Sequence, residues 1–243
     1  MKTETEIDWR HVMRESEQGR LMPVLQQIPQ EMWITARMRP YNWSLLIHAC
    51  KSDGNIRALL ALLKKGADIN EDPRAIFRNG KDNKERWSPL LEATLCLQPR
   101  TIQVLLALQA DPLVKNHHGS NALEEALLMI VGNHATPEQK PFVNQNCIES
   151  AKVLIANGFR LQHINQDTYD IATARHSKHI DFGKFEQGVI NCRDIIVTLL
   201  GLKKRRHSAD NYTIILPKLD RFLIRQVLGV EIWTTRTNEK WQK

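Results

Sequence analysis

The feature that most constrains this chain is a pattern of residues that occurs four times along it. Segments 43–49, 87–93, 120–126 and 168–174 each place a polar residue, an aliphatic residue two positions later and an alanine three positions further on. Each segment is followed by a stretch of aliphatic residues at helical spacing. Units of this kind cannot bury their apolar faces alone, and they do so by stacking on their neighbours. The repeat therefore predicts an all-α solenoid of stacked helix pairs.

Residues typical of helix starts and helix ends occur at the boundaries of the repeated segments. Ser88 is followed by Pro89, and a serine hydroxyl can cap a first turn in which proline is tolerated. Gly66 and Gly158 end two of the aliphatic stretches, where a residue in the left-handed conformation is common. These signals predict where helices begin and end within each unit.

Two segments show a resemblance to a known family. Residues 88–93 (Ser-Pro-Leu-Leu-Glu-Ala) and 62–70 (Leu-Leu-Lys-Lys-Gly-Ala-Asp-Ile-Asn) resemble the ankyrin repeat. The step from Ser88 to Asn121 also equals the ankyrin period of about 33 residues. The resemblance implies antiparallel helix pairs with short β-turn fingers and helical caps. HEAT or armadillo repeats are the second interpretation, because the other steps are longer, but those repeats lack the Gly-Ala-Asp finger.

The resemblance implies an ankyrin-repeat domain over residues 1–207, followed by a C-terminal helical cap over 208–243. Long loops lengthen a chain at small entropic cost, so the excess length is interpreted as insertions at 71–86 and 132–146. The first unit is predicted to be a degenerate helix pair broken at Gly19. The five units lie near 8–40, 41–86, 87–118, 119–165 and 166–207.

The resemblance implies protein–protein recognition through the finger positions that vary between repeats. The sharpest hypothesis is that Tyr41, Trp43 and Trp87 form an aromatic patch on the concave groove of fingers and inner helices, because Trp43 and Trp87 stand at the same position in adjacent repeats. The alternative is that both tryptophans pack as core against the 71–86 insertion. The candidate partner-binding residues are Tyr41, Trp43, Lys84, Glu85, Trp87, His117, His118, Ser120, Asn165 and Gln166.

The sequence holds no motif that points to catalysis. Nucleophile-elbow, Walker, dinucleotide-binding and zinc-protease motifs are all missing from it, so we expect no enzyme, no cofactor and no metal site. The acidic pair Glu124-Glu125 is interpreted as a solvated helix face, and the pair Glu71-Asp72 as part of a loop.

The cysteines have no spacing that suits a metal or redox site, and each lies among apolar residues. We therefore expect small buried thiols in a reducing compartment. The four are Cys50, Cys96, Cys147 and Cys192.

The net charge of +7 raises an alternative, a nucleic-acid-associated or nuclear regulatory factor. The compact basic run Lys203, Lys204, Arg205 and Arg206 resembles a nuclear-import signal, and Ser208 is a candidate phosphosite beside it. A solvated linker explains the run more simply. A second alternative is a ubiquitin-ligase adaptor, because the segment that starts at Leu216-Pro217 resembles an F-box-like element.

No apolar run is long enough to span a membrane, and the polar N-terminus lacks the apolar core of a secretory signal. We therefore expect a monomer in the cytoplasm, with the nucleus as an alternative, and no membrane partner. The expected partner is another protein. Divergent repeats with insertions also resemble the ankyrin effectors that intracellular bacteria and large viruses direct at host proteins.

Overall fold

The computed structural model describes residues 7–38, 43–71, 87–116, 119–131 and 140–157. These ranges are mostly helical, which confirms the all-α prediction in its coarse form. The helices described are α1 (Trp9–Glu17), α2 (Leu21–Leu25), α3 (Leu45–Ala49), α4 (Ile56–Lys64), α5 (Pro89–Leu95), α6 (Pro99–Ala107), α7 (Ala122–Val131) and α8 (Lys140–Ala156). Short 3-10 turns lie at Gln30–Met32 and Asp53–Asn55. Two short strands, β1 (Arg37–Met38) and β2 (Trp43–Ser44), pair antiparallel.

The described helices form consecutive pairs that stack in sequence order. Within each pair α1 packs on α2, α3 on α4, α5 on α6 and α7 on α8. Between pairs the first helices follow one another, with α1 on α3, α3 on α5 and α5 on α7. The second helices also meet, since α2 packs on α4 and α6 on α8. Each helix pair therefore packs against the pair that follows it in the sequence.

One apolar cluster runs through all four described pairs. Leucine supplies most of its large side chains, for example Leu25 in the first pair, Leu59 in the second, Leu91 in the third and Leu123 in the fourth. Burying one such side chain stabilises a fold by about 1.5–3 kcal/mol. Because the cluster crosses every boundary between pairs, each pair depends on its neighbour for much of its burial.

The predicted helix starts are confirmed at three first helices. The Ser44 hydroxyl accepts a hydrogen bond from the backbone N–H of Ile47, at 3.1 Å, and caps α3. The Ser88 hydroxyl accepts from the backbone N–H of Leu91 at 3.2 Å, with Pro89 in the first turn of α5. Asn121 caps α7 in the same way through its side-chain oxygen.

The helix ends use the left-handed conformation that the sequence indicates, although not always with glycine. Gly19 separates α1 from α2 with a φ of 73°, and Gly66 follows α4 with a φ of 97°. Gln109 takes the corresponding place after α6, with a φ of 73°. The predicted stop at Gly158 lies outside the described residues.

One predicted boundary is wrong. The 132–146 insertion was expected to be a loop, but α8 already begins at Lys140. Pro141 gave the segment a loop-like composition, yet proline fits the first turn of a helix because its missing N–H has no intrahelical partner there. Residues 72–86 of the other insertion, the fifth unit and the 208–243 cap lie outside the described residues.

The buried-thiol prediction is only partly confirmed. Cys50 and Cys147 are buried, whereas Cys96 is partly exposed, and none of the three forms a disulfide. Cys192 lies outside the described residues. Across the described ranges, no helix combines the length and apolar character needed to cross a membrane.

Candidate functional site

The structure places three of the predicted partner-binding residues at equivalent positions. Trp43, Trp87 and Ser120 each directly precede the capping residue of a first helix, in α3, α5 and α7 respectively. The other candidates fall outside the described ranges: Tyr41, Lys84, Glu85, His117, His118, Asn165, Gln166, the basic run 203–206 and Ser208.

Trp43 and Trp87 form a stacked aromatic pair between two successive helix pairs. Their ring centroids are 6.5 Å apart and the ring planes differ by 16°. Such a pair contributes about 0.5–1.5 kcal/mol beyond its buried area. Trp87 is only 8% exposed, while Trp43 is half-buried. Of these two residues of the predicted aromatic patch, Trp43 therefore provides the exposed surface. Trp87 is buried and packs against the Trp43 ring.

Each tryptophan also fixes the entry of the chain into its helix. The Trp43 ring meets the edge of His48, with centroids 5.7 Å apart, and the Trp87 indole N–H donates to Glu92 at 2.9 Å. In both cases the partner lies five residues later, which is the spacing of a hydrophobic staple. The tryptophans therefore serve the fold as well as the surface.

Lys51 covers Trp43 from the end of α3. Its ammonium nitrogen lies 4.7 Å from the centroid of the Trp43 ring, a distance suited to a cation–π contact. The same nitrogen lies 3.3 Å from a carboxylate oxygen of Glu17. The Lys51 side chain is 15% exposed and that of Glu17 is 60% exposed. Trp43, Lys51 and Glu17 together are called the covered aromatic site.

The titratable groups beside this site are held in their neutral forms. Burial and, to a smaller extent, the positive charge of the nearby Lys51 lower the pKa of His48 to about 3. Burial and the Glu92 carboxylate raise the pKa of the Cys96 thiol to about 12. Burial also raises the pKa of Cys50. A thiol that stays protonated is a poor nucleophile, so this cluster does not suit covalent catalysis.

Ser120 closes a turn rather than facing outward. Its backbone N–H donates to the side-chain oxygen of Asn116 at 3.0 Å, and its carbonyl accepts from the Asn116 backbone at 2.9 Å. The residue is 4% exposed. Its side chain therefore offers almost no surface to a partner in this conformation.

The fingers between helix pairs are tied to one another. Glu71 accepts a hydrogen bond from the Ser44 hydroxyl, and one of its carboxylate oxygens lies 3.8 Å from an Arg37 guanidinium nitrogen. The next link joins the Asp111 backbone N–H to the Asn70 side-chain oxygen at 2.7 Å. Strands β1 and β2, residues 67–71 and residues 111–116 thus make one continuous finger edge.

Large apolar side chains are exposed on the finger edge and close to it. Leu113 lies within the edge and is 46% exposed. Ile34, three residues before β1, is 39% exposed. These two side chains are the large apolar residues that the described part of the chain leaves exposed.

The interpretation of the acidic pairs is wrong for Glu124, whereas Glu71 lies in a loop as expected. Glu124 is fully buried, and its carboxylate accepts from the Asn121 backbone N–H at 2.6 Å while Asn121 caps the Glu124 backbone. This is a capping box, which the Asn-x-x-Glu spacing could have revealed. Glu71 is partly buried between fingers, and burial raises its pKa although Ser44 and Arg37 lower it in part.

A second group of polar residues was missed altogether, at the turn between α3 and α4. The Asn55 amide donates to the Ser16 carbonyl at 2.7 Å and accepts from the Leu21 backbone N–H at 3.0 Å. Asp53 accepts from both the backbone and the hydroxyl of Thr101, at 2.7 and 2.8 Å. This turn edge joins its helix pair to the pairs before and after it.

No protein-family model matches the chain, and no curated protein is significantly similar to it. Within the part of the chain that the structure describes, no group of three or more His, Cys, Asp or Glu side chains could hold a metal ion.

Proposed function

We propose that this chain is an ankyrin-type solenoid that binds a partner protein through its finger edge and the adjoining ends of its first helices. The observation that carries the proposal is the continuity of the finger edge. Because Glu71 and Asn70 join neighbouring fingers, several loops present one long surface instead of separate tips. Solenoid proteins use extended surfaces of this kind for recognition.

The ankyrin assignment is supported by agreement between local signals and stacking. Ser44, Ser88 and Asn121 cap successive first helices, and Gly66 follows a second helix. The first helices then stack on first helices. HEAT and armadillo repeats would not require the hairpin formed by β1 and β2 between two helix pairs.

A binding role is favoured over catalysis by the state of the side chains at the site. His48 stays neutral, and the Cys50 and Cys96 thiols stay protonated across the physiological range. Trp43 and Leu113, in contrast, offer apolar surface beside polar finger residues. Such a surface can exclude water from a partner but has no activated nucleophile.

A nucleic-acid partner is less well supported. Lys and Arg side chains are equal in number to Asp and Glu side chains in the described ranges, so the net charge of +7 comes from the rest of the chain. Nucleic-acid binding relies on an excess of cations at the contact surface. A steep fall of duplex-DNA binding with salt would favour this alternative.

Two narrower forms of the proposal rest on the sequence alone. A host protein as partner follows from the resemblance to ankyrin effectors. A ubiquitin-ligase adaptor role would depend on the segment that begins at Leu216, which lies outside the described residues.

The proposal can be tested by capture of the partner. The full chain is immobilised and exposed to an extract of the cells that make it, and the retained proteins are identified. We expect one protein to be retained in stoichiometric amount by the wild type. We expect Leu113→Asp to lose it, because a carboxylate replaces the most exposed large apolar side chain described on the finger edge.

Arg57→Gln is the matched control. Arg57 is exposed in the first turn of α4, at the end remote from the fingers, and the substitution changes the net charge by the same amount as Leu113→Asp. This variant should retain the protein. Equal retention by the wild type and Leu113→Asp would contradict the proposed surface.

A further inference from the structure

The first helix of each described pair carries its own N-terminal cap, whereas the second helices α2 and α6 do not. The Asp8 side chain accepts hydrogen bonds from the backbone N–H groups in the first turn of α1. The corresponding caps of α3, α5 and α7 are Ser44, Ser88 and Asn121. The residues at the cap positions of α2 and α6 form no side-chain bond of this kind. Since the N–H groups in the first turn of a helix have no intrahelical partner, α2 and α6 need acceptors from elsewhere.

Asp53, in the turn between α3 and α4, supplies the acceptor for the start of α6. Its carboxylate accepts from the backbone N–H of Thr101 at 2.7 Å and from the Thr101 hydroxyl at 2.8 Å. In return, the side-chain oxygen of Gln98, at the cap position of α6, accepts from the Asp53 backbone N–H at 2.8 Å. This reciprocal arrangement is that of a capping box, but its two halves belong to different helix pairs. The carboxylate also lies at the positive end of the α6 dipole.

Asn55 supplies the acceptor for the start of α2, in the preceding pair. Asn55 occupies the cap position of α4, yet its side chain forms no capping bond to that helix. Its side-chain oxygen accepts instead from the backbone N–H of Leu21, the first residue of α2, at 3.0 Å. Both residues are fully buried, so water cannot take the place of this acceptor. Asparagine is among the best capping residues, and here it stabilises a neighbouring helix and not its own.

Two glycines allow the turns of the first and second pairs to meet. A Cβ added at Gly54 would lie 2.8 Å from the carbonyl oxygen of Gly19 and 2.9 Å from its Cα. These are backbone atoms, which cannot move aside as the end of a flexible side chain would. A larger residue at position 54 would therefore push the two turns apart and carry Asn55 away from Leu21.

We propose that residues 52–55 form a shared cap, which holds the starts of α2 and α6 and makes the first and third helix pairs depend on the second. Asn55 holds the pair before it, and Asp53 holds the pair after it. The shared cap is a conformational device of the stack itself. The inference is independent of the proposed function, because it requires no partner.

The test is hydrogen exchange of the full-length chain alone, followed at individual amides by NMR. Asp53→Ala should speed exchange at Thr101 by about ten- to hundredfold, because this buried N–H loses its acceptor. Asn55→Ala should speed exchange at Leu21 by a similar factor, for the same reason. Gly54→Ala should also speed exchange at Leu21, although Asn55 is still present. In each case the affected amide lies in a different helix pair from the substitution.

Asp8→Ala is the matched control, because it removes the same side chain and the same charge from a cap that serves its own helix. Its faster exchange should be confined to the first turn of α1, with Leu21 and Thr101 unchanged. Asp53→Asn is the conservative variant. Its remaining side-chain oxygen can still accept from the Thr101 N–H, so exchange at Thr101 should speed up less than in Asp53→Ala.

Unchanged exchange at Thr101 in Asp53→Ala, or at Leu21 in Asn55→Ala, would overturn the inference. An equal acceleration at all described helices would also overturn it, since the substitutions would then loosen the whole stack and not one helix start in a neighbouring pair. Circular dichroism checks that each variant is folded. If Asp53→Ala does not fold, Asp53→Asn and Gly54→Ala provide the same comparison. Because no partner is present, each of these results leaves the proposed function unaffected.

Discussion

The two edges of the helix stack join the same helix pairs by different chemistry. At the turn edge, Asp53 and Asn55 form hydrogen bonds to backbone groups of the neighbouring pairs. At the finger edge, the Trp43–Trp87 stack and the Asn70 link join the pairs, and part of this region stays exposed. Buried polar contacts are costly to break, whereas partly exposed contacts can be exchanged for others. The turn edge therefore contributes mainly to stability, whereas the finger edge leaves surface exposed.

The largest expected effect concerns His48, which lies under the finger edge. Its pKa is about 3 in the folded chain and near 6.5 in the unfolded chain. The unfolded state therefore takes up a proton first as pH falls, and the free energy of unfolding decreases below pH 6.5 by up to about 1.4 kcal/mol per pH unit. By pH 4 this amounts to about 3 kcal/mol.

The measurement is urea unfolding from pH 7 to pH 4 for the wild type and His48→Gln. Other groups titrate in both proteins, so the difference between the two curves isolates His48. The variant should lose this part of the pH dependence. If the free energy of unfolding changed with pH in the same way in both proteins, His48 would not be held neutral next to Trp43. The imidazole under the finger edge would then be less buried than the structure shows.

The next effect compares two asparagines, one on each edge. Asn55→Ala leaves the buried Leu21 N–H without its partner and removes one of the hydrogen bonds to the Ser16 carbonyl, which keeps its bond from the Gly19 N–H, and we expect a loss of about 1–3 kcal/mol in the free energy of unfolding. Asn70→Ala removes one hydrogen bond at an exposed finger, so its loss should stay below about 1 kcal/mol. Urea unfolding followed by circular dichroism measures both. Equal losses would remove the distinction between the edges.

The smallest expected change in stability comes from exchanging glycine and glutamine at two helix ends. Gly66 and Gln109 both have positive φ, and no atom lies within 4 Å of a Cβ added at Gly66. Gln109→Gly should therefore stabilise the chain by up to about 1 kcal/mol, and Gly66→Gln should destabilise it by a similar amount. Thermal unfolding of the two variants checks both signs. A shift of the same sign in both would show that backbone strain does not decide these positions.

The parts of the fold that could be predicted from sequence are those set by near neighbours. The Ser44 and Ser88 caps and the turn at Gly66 depend on residues within one helical turn, and all three are present in the structure. The buried capping box of Glu124 belongs to the same class and needed only its three-residue spacing. The sequence also predicted that Trp43 and Trp87 would meet, because they recur at one position of a repeat.

The parts that could not be predicted depend on partners far away along the chain. Asp53 meets Thr101 48 residues later, and Leu21 meets Asn55 34 residues later. Nothing in the local sequence of the α3–α4 turn distinguishes these two side chains from ordinary polar loop residues. The contact between Lys51 and Glu17 is of the same kind, since Glu17 lies 34 residues earlier in another helix pair.

The central claim is that the finger edge, and not the turn edge, binds the partner. Hydrogen exchange of the chain with and without its captured partner tests this claim most directly, because one experiment measures protection at both edges. We predict slower exchange on binding at the finger residues 67–71 and 111–116, with no change at Asp53–Asn55. Protection confined to the turn edge, with the fingers unaffected, would contradict the assignment of the finger edge as the binding surface.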